Sequence, residues 1–303
     1  MTDMPGGCLL CGGAAVGTTF PFGTQWAGRR FDYLRCGSCG ASYVDPVPSP
    51  DEFERMYDRS SYHDTFYHQV GEEAAASLLP RVRHLLRPGG RLLDFGCGNG
   101  TFIRATRRLG FLCDGIELEE KARRFAAANS GCEVLSFDAV KASGRRYDII
   151  YMGDVLEHLP APAATLRDLD GLLAPGGLFF VEGPLEDNVS LVYYSARLFG
   201  ASKKLRGKQL HGDLPPFHLF RTGARAQRAF FEKLGYEMHA FVTDETGWPY
   251  LNRGDNLLRP RSARHLARML IGALSVGMTR AARAFGLKFG NRFAAVFSPR
   301  SPG

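Results

Sequence analysis

No stretch of this 303-residue sequence approaches the roughly 20 consecutive apolar residues that a membrane-spanning helix needs. The longest candidate, residues 269–278, is short and already holds Gly272, Ser275 and Gly277. Residues 1–7 lack the basic start and apolar run of an export signal, so a reducing cytoplasm is the expected compartment. Acidic residues are almost missing from one region. Residues 251–303 hold ten Lys/Arg against a single acid, Asp255, and so carry +9. The whole chain is only +7, which leaves −2 for everything before residue 251. Basicity therefore belongs to the tail, and overall charge is no argument for nucleic-acid binding. Cysteine is sparse and odd in number, seven, which speaks against a disulfide framework.

Four of the seven cysteines nevertheless fall into a pattern. Cys8-Leu9-Leu10-Cys11 and Cys36-Gly37-Ser38-Cys39 are C-x-x-C pairs, each followed directly by a glycine, Gly12 and Gly40. Two thiolates on one tight turn grip one side of a tetrahedral metal, and a second turn closes the other. The trailing glycines let the backbone fold back over the sulfurs. Between the pairs, Thr18-Thr19-Phe20 and Arg30-Phe31-Asp32-Tyr33-Leu34 can form a hairpin joining the turns. This predicts a closed structural zinc ribbon with ligands Cys8, Cys11, Cys36 and Cys39. Cys97, Cys113 and Cys132 read as ordinary buried thiols.

Residues 91–183 repeat a strand, turn and helix rhythm, which predicts a mostly parallel α/β sheet with ligands at the carboxyl ends of its strands. Arg91-Leu92-Leu93-Asp94-Phe95 runs into the turn Gly96-Cys97-Gly98-Asn99-Gly100, and a helix follows with Phe102, Ala105, Thr106 and Leu109 on one face. The second strand, 112–118, contains Glu117, and a helix covers about 119–129. A third strand ends at Phe137-Asp138. A fourth, 147–152, enters Gly153-Asp154-Val155-Leu156-Glu157-His158. Pro175-Gly176-Gly177 turns the chain into a fifth, 178–182.

Asp94-Phe95-Gly96-Cys97-Gly98-Asn99-Gly100 resembles the D-x-G-x-G-x-G signature of class I S-adenosylmethionine-dependent methyltransferases, and not the G-x-G-x-x-G of nicotinamide enzymes. The fold this implies is Rossmann-like: a seven-stranded, mostly parallel sheet with helices on both faces, here joined to a small N-terminal zinc ribbon. S-adenosylmethionine has no pyrophosphate to seat on a helix N-terminus. The glycines instead let backbone approach the amino-acid and ribose parts of the ligand. By the same resemblance, Asp94 organises the loop and the methionine ammonium region. Gly96, Cys97 and Gly98 line the ligand, and Gly100 gives the helix room. Glu117 accepts the ribose hydroxyls and Leu118 packs on the adenine. Asp138 accepts the adenine amino group, beside the backbone N–H of Ala139. Met152 and Gly153 end the fourth strand beside the sulfonium, and Tyr62, in an aromatic lead-in, closes over the cofactor. Asp154-Val155-Leu156-Glu157-His158-Leu159, Leu173-Ala174-Pro175-Gly176-Gly177 and His218-Leu219-Phe220-Arg221-Thr222 resemble stretches of the small-molecule branch.

The domains expected are a zinc ribbon over 1–48, a helical and aromatic lead-in over 49–84, and a cofactor-binding core over 85–250 with a substrate cap at 184–221. Basic helices and a final strand occupy 251–303. Methyl transfer from a sulfonium is an in-line displacement that requires alignment and, for a weakly acidic acceptor, a base. Three residues are candidates for that work: His218 in the cap, His158 after the fourth strand and Glu182 at the end of the fifth. His158 could equally cap a turn, and Glu182 could be an edge carboxylate. In 260–286, apolar Leu266, Met269, Leu270, Leu274 and Phe285 alternate with Arg261, Arg264, Arg268, Arg280 and Arg283. Packing on the body is the default for these helices, while a dimer contact and a weak membrane-surface contact stay open.

The function these readings imply is methylation of a small molecule, such as a sugar, a lipid-linked intermediate or a natural product, with oxygen the favoured acceptor and histidine the base. The alternatives are an RNA methyltransferase gripping its substrate through the ribbon, or a silent cofactor-binding scaffold. Against RNA, the residues after strand four lack the Asn/Asp-Pro-Pro-aromatic platform, and the ribbon lacks a dense basic and aromatic face.

Overall fold

The computed structural model describes residues 7–57, 89–207, 212–247, 250 and 261–300. It comprises two compact units. The first is Met1–Val47, Glu182–Gly235 and Ala240–Ala295; the second is Pro48–Val181, Tyr236–His239 and Val296–Gly303.

In the second unit, Ser49 and Glu52 form a reciprocal capping box that starts α1 (Pro50–Met56), with Pro50 in the first turn. Alternation then begins: β4 (Arg91–Phe95), α2 (Thr101–Arg108), β5 (Leu112–Ile116), α3 (Glu120–Ser130) and β6 (Glu133–Leu135). Next come α4 (Phe137–Ala142), β7 (Tyr147–Gly153), a 3-10 turn at Leu156–His158 and α5 (Pro162–Asp170). β4 pairs in parallel with both β5 and β7, and β5 in parallel with β6. Strands buried on both faces read as unbroken apolar runs, and Leu92-Leu93 and Ile149-Ile150 are such runs, wholly buried. β8 (Leu173–Pro184), β10 (Tyr236–Asp244) and β11 (Arg292–Pro299) complete a seven-stranded sheet in the order β10-β11-β8-β7-β4-β5-β6. Phe179, Tyr236 and Phe297 pack ring on ring beneath it, with centroids 4.9–5.7 Å apart. This is the α/β class that the strand and helix rhythm predicts.

The first unit is built around a smaller sheet. β1 (Ala15–Trp26) and β2 (Arg29–Cys36) form the expected antiparallel hairpin, turned at Ala27 and Gly28, both with positive φ. β3 (Ser42–Asp45) pairs with β2 on one side and on the other with β9 (Phe220–Arg221), a strand from the stretch read as a substrate cap. α6 (Leu191–Leu205), α7 (Ala224–Lys233) and α8 (Ala263–Ala284) belong to the same unit.

Two sequence expectations need revision. The third strand stops at Leu135, because Ser136 caps a new helix by accepting the N–H of Ala139 and so leaves Phe137 and Asp138 helical. In α8, the inward face is not the leucine face. Met269, Gly272, Ser275 and Thr279 are buried, while Leu270, Leu274 and Met278 point outward. The reason is polar anchoring. Ser275 donates to the buried carboxylate of Glu245 at 3.0 Å, and Arg283 donates to the Thr243 carbonyl at 2.7 Å and pairs with Asp244 at 3.2 Å. Among the described residues, no helix is long and apolar enough to cross a membrane.

Candidate functional site

The glycine loop is held in a shape that only glycine tolerates well. Gly96, Gly98 and Gly100 all have positive φ, at 81°, 56° and 76°. A side chain at Gly96 would meet Val155 at 2.5 Å, and one at Gly100 the Ala126 carbonyl at 2.7 Å. The loop is tied down from below. Gly96 and Cys97 donate their N–H groups to the Ile116 carbonyl, and Asn129 donates to the carbonyl of Asn99. Gly115, in the strand beneath, leaves room for Cys97; a Cβ there would lie 2.7 Å from its Sγ.

Two acids meet at this loop. Asp94, in β4, is buried. Glu117, directly after β5, is also buried, and its carboxylate accepts the N–H of Gly98 at 2.9 Å and of Leu118 at 2.7 Å. Burial, with the neighbouring Glu117 charge added, pushes Asp94 up to about 8. Burial raises Glu117 as well, opposed by the N–H groups of Leu118 and Gly98. Two facing acids in a low dielectric favour a cationic guest, which restores their ionised forms. An ammonium and a sulfonium are such groups, so the residues fit the cofactor that the motif implies.

Leu118 is an exposed leucine beside Glu117, and Met152 is fully buried in β7, which Gly153 ends. Asp138 departs from its expected place. It lies in the first turn of α4, exposed and paired with Lys141 at 2.9 Å, and the N–H of Ala139 is already taken by Ser136. Tyr62, and with it the lid role, lies outside the described residues. His158 is buried; its Nδ1 lies 2.7 Å from the hydroxyl of Tyr57, and its Nε2 3.8 Å from Glu157. Tyr57 stood in the aromatic stretch without being singled out.

In the first unit, the four cysteine sulfurs all lie within 4.8 Å of one another, with Cys8 facing Cys39 at 3.6 Å and Cys11 facing Cys36 at 3.5 Å. Burial opposes ionisation of Cys36, but N–H groups of Cys39 and Ser38 and the adjacent thiols outweigh it and bring it down to about 7. Cys39 is driven up by its contact with Cys8 and by burial. Protons shared unequally among four clustered thiols are what a divalent cation would displace, so the set fits a tetrahedral thiophilic metal such as zinc.

His218 sits on the same unit, directly before the strand that joins the ribbon sheet. Its Nδ1 lies 2.7 Å from Glu186, which also pairs with Arg221 at 3.3 Å. Arg221 stacks 3.7 Å above the ring of Tyr33, and the Tyr33 hydroxyl donates to the His218 carbonyl at 2.7 Å. Asp187 accepts from Ser42 and pairs with Arg35 at 3.5 Å. The histidine is thus gripped from both the cap and the ribbon. Glu182 is buried near the end of β8. Glu186, Tyr33 and Asp187 escaped the sequence reading; the acidic pair Glu186-Asp187 after Pro184 was the available signal.

A parallel sheet with a glycine loop and two buried acids at adjacent strand ends defines a class of nucleoside-cofactor proteins. Within it, the chain belongs to the methyltransferase domain family, whose model matches residues 66–240, more than half of the sequence. It is similar to the ubiquinone biosynthesis O-methyltransferase of Caulobacter sp. (strain K31), at 37% identity over 101 residues, 31% of this chain and 40% of that protein. The protein of the same name from Parvibaculum lavamentivorans is 33% identical over 98 residues, 30% and 39% of the two chains. The matches thus span about two fifths of these curated relatives. A solved S-adenosylmethionine-dependent methyltransferase from Archaeoglobus fulgidus aligns over 78% of this chain and 99% of its own, at 16% identity and a TM-score of 0.47.

Proposed function

We propose that the protein transfers the methyl group of S-adenosylmethionine to an oxygen of a small-molecule acceptor, with one structural zinc on Cys8, Cys11, Cys36 and Cys39. The observation that carries the reading is the buried pair Asp94 and Glu117 around the glycine loop. The oxygen preference follows the O-methyltransferase relatives. When bound, the cofactor supplies an electrophilic methyl carbon on a cationic sulfur. Asp94 takes the ammonium region and Glu117 the ribose hydroxyls, while Leu118 covers the adenine. Asp138 and Ala139 hold a lesser place, since each already has a partner. Met152 and Gly153 border the sulfonium.

We assign the base role to His218. Glu186 engages Nδ1, which sets the tautomer with the proton there and directs the acceptor's proton to Nε2. Glu186 also stabilises the imidazolium once formed. His158, tied to Tyr57 and buried, is better placed to hold structure than to shuttle protons. Glu182 is assigned to acceptor binding. Changing His218 to Asn is expected to lower kcat by about 10²- to 10⁴-fold with cofactor affinity unchanged. Full activity in that variant would remove His218 from the mechanism. Radiolabelled cofactor with a metabolite extract or with RNA tests the acceptor class, and label in RNA alone would overturn the small-molecule reading.

Cofactor affinity should also depend on pH, through Asp94. The group is protonated in the folded protein up to about 8, and a cationic ligand prefers the carboxylate. Affinity therefore rises with pH through that range and falls on acidification, by about fivefold from about pH 8 to about pH 7 if binding requires the charge. For the unliganded protein the same shift runs against stability. The folded state holds the proton more tightly, so stability declines as pH rises from the ordinary carboxylate range to about 8. Calorimetry across this window checks both. A flat affinity profile would mean that Asp94 does not meet the ligand's charge.

A further inference from the structure

The first unit turns an unusual face outward. α8 presents an arc made of Ala267, Leu270, Leu274, Gly277, Met278 and Ala281, six residues at helical spacing, all exposed and none charged. Phe285, at its end, is 81% exposed. α6, which packs against α8, does the same with Tyr194, Leu198, Ala201 and Leu205, at intervals of four, three and four; Leu198 is 75% and Leu205 89% exposed. Soluble helices normally turn such stripes inward. Here the inward places are taken by Met269, Gly272, Ser275 and Thr279, of which Ser275 is fastened to Glu245.

The charges carried by these two helices and their flanks are of one sign, with Asp244 facing Arg283 as a neighbouring acid. Residues 191–207 contain Arg197, Lys203, Lys204 and Arg206 and no acid; residues 261–300 contain eight Lys/Arg and no acid. The Lys203 ammonium lies over the exposed ring of Phe199, 4.8 Å from its centroid, so charge and apolar surface meet on α6. Apolar stripes on helices whose own charges are all cationic have a specific complement: a surface that is apolar within and anionic at its rim. A second copy of the chain would instead set cation against cation.

We infer that α6 and α8 together form a docking surface for an anionic lipid bilayer, with Leu198, Leu205, Leu270, Leu274 and Met278 entering the headgroup boundary and the arginines and lysines meeting the lipid charge. The inference is independent of the acceptor's identity. Neither helix crosses the bilayer; both lie on it.

Sedimentation of the full chain with phosphatidylcholine vesicles, with and without phosphatidylglycerol, tests this. The native chain is expected to pellet with the anionic vesicles at least about tenfold more than with the neutral ones, and less as salt is raised. Leu270→Glu with Leu274→Glu should lower the anionic partition by about tenfold or more. Arg264→Ser with Arg280→Ser removes charge without touching the stripe, so it reports even if the leucine variant unfolds. It should erase much of the preference for anionic vesicles. Native partition no greater with anionic than with neutral vesicles would overturn the proposal. So would partition unchanged in both variants, or a dimer in ultracentrifugation that only the leucine variant dissolves.

Discussion

Substituting Cys36 with Ser is expected to abolish methyl transfer while S-adenosylmethionine still binds. Three thiolates hold a structural zinc far less well than four, and in small ribbons the metal supplies the folding free energy, on the order of 10 kcal/mol. What fails with it is specific. β3 of the ribbon sheet carries β9, and Tyr33 in β2 holds the backbone of His218. Asp94, Gly96 and Glu117, which we assign to the cofactor, lie in the other compact unit, at the ends of β4 and β5. Cofactor binding by calorimetry should therefore survive, while label transfer falls to background. Metal analysis of the native protein should give one zinc per chain. A zinc-free Cys36→Ser protein with native turnover would refute both the ribbon and its coupling to His218.

The second large effect belongs to Glu117. Its alanine variant should bind S-adenosylmethionine about 100-fold more weakly, from the loss of two charge-assisted hydrogen bonds at about 1.5 kcal/mol each. Part of that loss acts through the loop. The carboxylate pins the N–H of Gly98, and without it a buried donor loses its partner. Glu117→Gln keeps one acceptor oxygen, and should recover part of the affinity. Equal affinity in Glu117→Ala and the native chain would show that the ligand does not use this strand end.

Much of this was legible because local chemistry and global fold agree at those places. The glycine loop announces itself because Gly96, Gly98 and Gly100 occupy a backbone region that other residues avoid. The cysteines announce themselves by spacing, and the hairpin between them by alternation. Asp138 was misplaced because an apolar run followed by an acid looks like a strand end, whereas Ser136 accepting an N–H three residues on makes it a helix start. The His218 cluster could not be read, since Tyr33, Glu186, His218 and Arg221 come together only through the pairing of β3 with β9. For the leucines of α8, packing on the body was the default by the usual rule, with a dimer or membrane-surface contact left open. That rule fails where polar anchors such as Ser275 take the inner side of the helix.

The strand that β9 contributes also bears on how this protein can be taken apart. Trimming the N-terminal 48 residues would not release a freestanding catalyst. It would leave Phe220 and Arg221 as an unpaired edge, bare a patch once sealed by Tyr33 and Tyr43, and invite aggregation. Grafts between relatives should therefore exchange the cysteine-bearing segment and the 184–221 stretch as one block, because β3 and β9 have to be matched to each other.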